Sequence, residues 1–183
     1  MSRTIALRLE DAAASRVVTM WERLYVEWGD QTLLRPDAEP HIILAELPDH
    51  PDAAQIEATI GRVVEACNAL PVTLLALGVF PGPSPTIVLL PRPTMHLLRF
   101  CRALHAALAG QSGDQTFQPH HWQPHVVISA EAISVAEAVR VLLPMLFQPI
   151  VGKVVALEVV ERATGSLISS HPLRGLSNTG KSA

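Results

Sequence analysis

The sequence predicts an α+β protein of two lobes made by duplication, with antiparallel-rich sheets lining a central cleft and helices outside. Three observations predict it. Short apolar runs of strand length are separated by stretches whose apolar residues recur at helical spacing. The order of these elements repeats once along the chain. Both repeats carry the same unusual signal, a Pro-His pair that opens an apolar strand, at Pro40-His41 and at Pro124-His125.

Thr4 to Leu9 alternates and is rich in β-formers, which predicts a strand, and a helix follows from about Ala12 to Trp28. On that helix Trp21, Tyr25 and Trp28 share one face at i, i+4 and i+7, a stripe that suits a core or a partner surface. The polar segment Gly29 to Pro40 leads into a short buried strand, His41 to Leu47. Pro48, Asp49 and Pro51 end it. Asp52 can cap a helix from Ala53 to about Ala69, where Ile56, Ile60, Val63, Val64 and Cys67 keep helical spacing until Pro71. The runs Val72–Phe80 and Thr86–Leu90, joined by Pro81-Gly-Pro-Ser-Pro85, predict a hairpin.

The order then starts again. A helix is expected from about Thr94 to Ala109, a Gly/Ser/Asp-containing loop, the strand His125–Ser129, and a helix capped by Ser134 that reaches about Phe147. Lys153–Val160 reads as a strand, with Ser166–Ser170 as its hairpin partner after Thr164-Gly165. After the opening strand the plan is helix–strand–helix–strand–strand, twice, with pseudo-repeats at about 12–91 and 93–173. His41 and His125 lie 84 positions apart, and the closing strands start 80 apart, at Thr86 and Ser166. A nearly constant offset is the mark of internal duplication within one domain, 1–173; the small, polar residues 174–183 read as a flexible tail.

Composition narrows the function. Of 183 residues, 49% are hydrophobic and 17% charged, which is a core-forming chain rather than a disordered one. Fourteen Lys and Arg against seventeen Asp and Glu leave a net charge of −3, so no extended nucleic-acid binding is expected and a nucleic-acid substrate would be recognised locally. Cys67 and Cys101 stand far apart with no CxxC, the pattern of reduced thiols in a cytoplasmic protein. Arg8, Glu10 and Asp11 interrupt the first apolar segment, against a signal peptide. Val72 to Phe80 is far short of the roughly 20 residues a spanning helix needs, so no membrane association is expected. A Gly-rich phosphate loop, a Gly-x-Ser-x-Gly elbow and HExxH are all absent from the sequence.

The histidines carry the chemistry. If the halves pack about a pseudo-twofold axis, His41 and His125 bracket one small volume. One imidazole can then take a proton from an attacking hydroxyl or water while the other gives one to the leaving oxygen. Neither a metal nor a cofactor is required.

Duplicated Pro-His-x-x-aliphatic strands about eighty residues apart resemble the 2H phosphoesterase superfamily, the 2'-5' RNA ligase-like proteins. The likeness in element order runs from Thr4 to about Leu173. It implies a bilobal α+β fold, His41 and His125 as the acid–base pair, and a phosphodiester substrate, 2',3'-cyclic or 2',5'-linked, in a nucleotide or RNA end. The protein is expected to act as a monomer. One departure stands out: the family carries Thr or Ser two residues after each histidine to hold the phosphate, and Ile43 and Val127 occupy those positions here. Each lost hydrogen bond to a charged oxyanion costs roughly 1.5–3 kcal/mol. The alternative function is therefore a catalytically impaired relative that serves as a ligand-binding or scaffold module.

Side chains i and i+2 on a strand share a face, so Ile43 and Val127 are expected in the cleft, and Ser129, four after His125, is a candidate replacement hydroxyl. Trp122 and Phe117 are candidates to stack on a base, against the plainer role of packing on the lobe. His120, His121 and His125 form a local cluster, yet Pro124 breaks their spacing and no Cys, Asp or Glu lies between Asp114 and Glu131, so no metal site is expected. Arg99 and Arg102, on a helix that also carries His96 and His105, read as a solvated face.

Overall fold

The computed structural model describes residues 3–31, 33–34, 38–47, 53–82, 85–108, 122–129, 134–161 and 164–174. Its elements follow in chain order: β1 (Arg3–Leu9), α1 (Asp11–Trp28), β2 (His41–Leu47), α2 (Ala53–Glu65), β3 (Leu70–Phe80), β4 (Thr86–Pro91), α3 (Met95–Ala107), β5 (Val126–Ser129), α4 (Val135–Leu142), β6 (Ile150–Glu161) and β7 (Leu167–Pro172). The order of helices and strands is the one the sequence predicts. Boundaries move where proline acts. Helix α2 ends at Glu65, and Pro71 is the second residue of β3 instead of a helix stop. It is tolerated there because β3 pairs with β4 only from Leu74 onward, so Pro71 lies where β3 lacks β4 as a neighbour. Pro144 converts the end of α4 into a 3-10 turn over Leu143–Leu146. Thr94 caps α3 by accepting from the Leu97 N–H, whereas Ser134 precedes α4 without a side-chain cap. The expected Asp52 cap lies outside the described residues, as do 175–183 of the tail.

One seven-stranded antiparallel sheet runs β2-β1-β6-β3-β4-β5, with β7 added on β6. The two halves are joined because β6 is long. Along one edge its residues 150–154 pair with β3 and 156–160 with β7, while β1 lies along the other edge. The sheet order reads the same when β1, β2 and β3 are exchanged for β4, β5 and β6. Sequence periodicity frames the repeat at helix–strand–helix–strand–strand; the pairing order offers a frame one strand earlier, strand–helix–strand–helix–strand, with β7 outside it.

Register carries the symmetry to single residues. Leu44 is bulged out of the β1–β2 ladder between Ile43 and Ala45, and Ile128 is bulged out of β4–β5 between Val127 and Ser129. Val155 in β6 and Leu75 in β3 form a second matched pair of bulges. Bulges re-aim side chains and bend strands, and here these two occur twice, while a further one, at Ile168 on β7, has no counterpart.

The core lies between one face of the sheet and the helices. Ile5, Leu7 and Leu9 of β1 and Ile87 and Leu89 of β4 meet Val17, Met20 and Leu24 of α1, Ile56 and Ile60 of α2, and Phe100 and Leu104 of α3. Of the aromatic stripe, Trp21 is buried, Trp28 packs against the core and Tyr25 is half-exposed, so it is chiefly a packing face. Arg99 and Arg102 are exposed, as expected. Among the described residues no helix is long and apolar enough to cross a membrane.

Helix α1 approaches β6 at Gly152, where a Cβ would lie 2.7 Å from Ala13 Cβ and 2.9 Å from a Glu10 carboxylate oxygen. Gly61, inside α2, has open space around it. Gly152→Ala is therefore expected to lower the urea unfolding free energy by about 1–3 kcal/mol through overpacking. Gly61→Ala is expected to raise it by about 0.5–1 kcal/mol through helix propensity. Equal effects at the two glycines would contradict the close packing of α1 on β6.

Candidate functional site

His41 is the first residue of β2, and His125 immediately precedes β5, so the histidines sit at equivalent ends of the two outer strands of the main sheet. Outer strands have backbone groups without ladder partners, and these need other donors. The donors come from across the duplication. Trp21 of α1 donates its indole N–H to the Val127 carbonyl on β5 at 3.1 Å. On α3 the residue 84 positions later, His105, places Nε2 3.0 Å from the carbonyl of the bulged Leu44 on β2, and only an Nε2–H can make that bond. Trp122, just ahead of β5, donates to the Ile43 carbonyl at 2.8 Å and so ties one outer strand to the other. The sheet curls until β2 and β5 touch.

The two catalytic candidates are held in the same way. His41 Nδ1 lies 2.8 Å from the Glu39 carbonyl, and His125 Nδ1 lies 2.8 Å from the Gln123 carbonyl. A carbonyl only accepts, so each Nδ1 carries the proton and each Nε2 keeps its lone pair. Burial pushes the pKa of both histidines below the ordinary value. For His41 the Glu39 carbonyl and the Glu39 charge oppose that shift, and the nearby His125 adds to it. The charge of His125 is thus felt at His41.

Their surroundings differ. Residues paired across antiparallel strands share a face, which places Arg8 beside His41 and Ala6 beside Ile43. Glu158 pairs with Ala6, and its carboxylate lies 3.1 Å from Arg8 Nε and accepts a hydrogen bond from Ser170 Oγ. Burial raises the pKa of Glu158; the Ser170 bond opposes the rise, the Glu39 charge adds to it and Arg8 opposes it. On the other side Phe80 stands edge-on to His125, with ring centroids 4.7 Å apart. A surface cavity of about 430 Å³ lies not between the histidines but against α1, next to Pro40 ahead of His41. Arg8, Asp11, Ser15, Thr19, Glu39 and Pro40 are among its lining residues.

Ile43 and Val127 are half-buried on the faces of their histidines. Ser129 does not join them. The bulge at Ile128 shifts the alternation, so Ser129 pairs with the core residue Ile87 and its Oγ donates to Asp30 Oδ2 at 2.5 Å. The i, i+2, i+4 rule that placed Ser129 beside His125 fails at the bulge. Trp122 is buried, with its indole N–H spent on Ile43, and it packs in the core instead of offering a face to a base. Phe117, His120 and His121 lie outside the described residues. No group of three or more His, Cys, Asp or Glu side chains suited to a metal occurs among the described residues. Both thiols are pushed up by burial, Cys101 to about 12, and neither is a nucleophile at neutral pH. Sequence reasoning missed Arg8, Phe80 and Glu158. The strand register, once known, places Arg8 beside His41 and Glu158 beside Ala6, whereas Phe80 pairs with Thr86 and reaches His125 only through the contact of its ring.

A helix-backed antiparallel sheet with a duplicated histidine on its two outer strands is the framework of a 2H phosphoesterase. The 2'-5' RNA ligase superfamily profile matches residues 4–166, and the chain belongs to that superfamily. Among solved structures, TT0787 of Thermus thermophilus is similar at 18% identity and a TM-score of 0.67, covering 96% of this chain and 100% of that one. Escherichia coli LigT complexed with phosphate is similar at 15% identity and a TM-score of 0.53, covering 94% and 96%. Kluyveromyces marxianus Usb1 is similar at 12% identity and a TM-score of 0.53, covering 94% and 98%. These likenesses show the fold. No curated protein matches the chain in sequence.

Two outcomes test the site's construction. Trp122→Phe keeps the ring but leaves the Ile43 carbonyl without its donor, and is expected to cost about 1–3 kcal/mol in urea unfolding. The lowered histidine pKa values favour the neutral rings in the folded state. Their contribution to stability is therefore full above the unfolded value near 6.5 and is lost as pH falls through the folded values. The melting temperature should fall between pH 7 and pH 5, and the His41→Asn/His125→Asn double variant should flatten that fall. An unchanged slope would remove the buried histidines as its cause.

Proposed function

We propose that the protein is a metal-independent phosphoesterase that acts on 2',3'-cyclic or 2',5'-linked phosphodiesters of nucleotides or RNA ends through His41 and His125. The observation that carries this reading is the matched pair of Nδ1–H to carbonyl bonds, which gives each imidazole the same tautomer with Nε2 available. In the reaction one neutral histidine takes a proton at Nε2 from water or a hydroxyl as the new P–O bond forms. The other, protonated, gives its Nε2 proton to the ribose oxygen as the old P–O bond breaks. Duplication allows the roles to exchange in the reverse direction. Structures of LigT with phosphate and with 3'-AMP support a phosphate-sized occupant for this fold. Two free cysteines fit a reducing, cytoplasmic setting, and residues 1–173 are taken as one functional unit acting as a monomer.

A second reading has its own observation. Ile43 and Val127 present methyl groups where the family holds phosphate, which favours a cleft that binds a ligand without turning it over. Hydrolysis of 2',3'-cyclic nucleotides and of a short RNA ending in a cyclic phosphate, with EDTA present, separates the two. The phosphoesterase reading expects turnover that falls by about a hundredfold or more in His41→Ala and in His125→Ala, the usual size of a general acid or base contribution. Turnover no greater than in those variants would move the assignment to binding. Ile43→Thr with Val127→Thr should raise the rate if the missing hydroxyls are what limit it.

The pH profile follows from the lowered histidine values. Catalysis needs one ring protonated and one neutral, so kcat/KM should peak on the acid side of the ordinary histidine value near 6.5. A maximum well above pH 7 would argue against these two groups.

A further inference from the structure

We propose that Arg8 holds the phosphoryl oxygens between His41 and His125, in place of the hydroxyls that positions 43 and 127 lack. This rests on the phosphoester reading and names the residue that makes it workable. The duplication is broken beside His41. Arg8 pairs with His41, and the matching position on β4 is Leu90. Glu158 pairs with Ala6 on β1, and its counterpart is Gly78, which pairs with Val88 on β4. A scaffold repeated bulge for bulge thus carries a charged pair on one wall, against a leucine and a glycine on the other.

The guanidinium is held but not used up. Arg8 Nε lies 3.1 Å from Glu158, whose carboxylate is itself held by Ser170. Nη1 reaches Asp11 only at 3.5 Å, and that carboxylate is almost fully exposed. Among the described residues Nη2 has no hydrogen-bond partner, and 30% of the Arg8 side chain is exposed. Side chains directly opposite on antiparallel strands have Cβ atoms about 4.5–5.5 Å apart, so a long arginine beside His41 reaches a group bound at its Nε2. A planar fork fixed at Nε presents its remaining N–H groups to two oxygens at once, the geometry that suits phosphate.

Charge selects the same residue. Glu39 and Glu158 both lie on the His41 wall, and without Arg8 an anion there would meet carboxylates. The His125 wall, with Phe80 and Leu90, supplies no side-chain donor from those residues. Arg8 is the cation paired directly with a candidate catalytic histidine, and the missing hydroxyls leave the anion-holding task to it.

Titration of the full chain with inorganic phosphate, read by NMR at the imidazole signals of His41 and His125, tests this without requiring turnover. Phosphate should move both signals in the natural protein. In Arg8→Ala/Glu158→Gln, which removes the pair without stranding a buried carboxylate, the Kd should rise about tenfold or more, the size of one charge-assisted contact. Arg8→Lys keeps the charge but loses the fork and should fall between the two. Glu158→Gln alone should bind phosphate at least as tightly as the natural protein. A purely structural Arg8 would lower the melting temperature of the folded variants and leave Kd unchanged. Unchanged affinity in the double variant, with both imidazoles still responding, would overturn the role of Arg8 and leave the two-histidine reading standing. If phosphate moves neither imidazole in the natural protein, both fall together.

Discussion

Carbonyls on an outer strand must find donors, and in this protein they find them across the duplication. Trp21 from the first half serves Val127 in the second, and His105 and Trp122 from the second serve Leu44 and Ile43 in the first. An unpaired buried carbonyl costs about 1–3 kcal/mol, so these three bonds outweigh most single contacts at the surface. Their direction matters more than their number. Because each half satisfies the other's outer strand, neither half is complete alone, and the sheet bends until the two histidine strands meet. The site is a consequence of how the edges are closed.

That closure sets the chemistry of the histidines. Strands brought together are desolvated, which keeps both rings neutral at ordinary pH, and the carbonyls two residues upstream choose the tautomer. The walls around them then diverge. One bears Arg8, Glu158 and Ser170, the other Phe80, Leu90 and Gly78, although the pairings and bulges of β1 with β2 and β6 recur in β4 with β5 and β3. Symmetry built the scaffold; its breaking gives the two histidines unlike walls.

Much of this was legible in the residues. Alternating and helical periodicities located the strands and helices, and proline after proline marked where elements stop, except at Pro71, where the lack of a β4 neighbour let the strand continue through it. The paired Pro-His signals identified the candidate histidines because a titratable ring at the head of an apolar strand is unusual twice over. Bulges were not legible. They depend on how two ladders close against each other, and the one at Ile128 turned Ser129 from an expected cleft residue into the partner of Asp30. Arg8 likewise looks, in sequence, like a charge that merely interrupts an apolar start. Only the register with His41 gives it a place in the site.

The central claim is that His41 and His125 share one small volume. Imidazole titration by NMR in the natural protein and in His125→Asn measures it directly, because the positive charge of one ring makes protonation of the other harder. Removing the charge on His125 should raise the pKa of His41. A His41 titration that is identical in both proteins would mean that the rings do not face a common space, and the two-histidine account would fail.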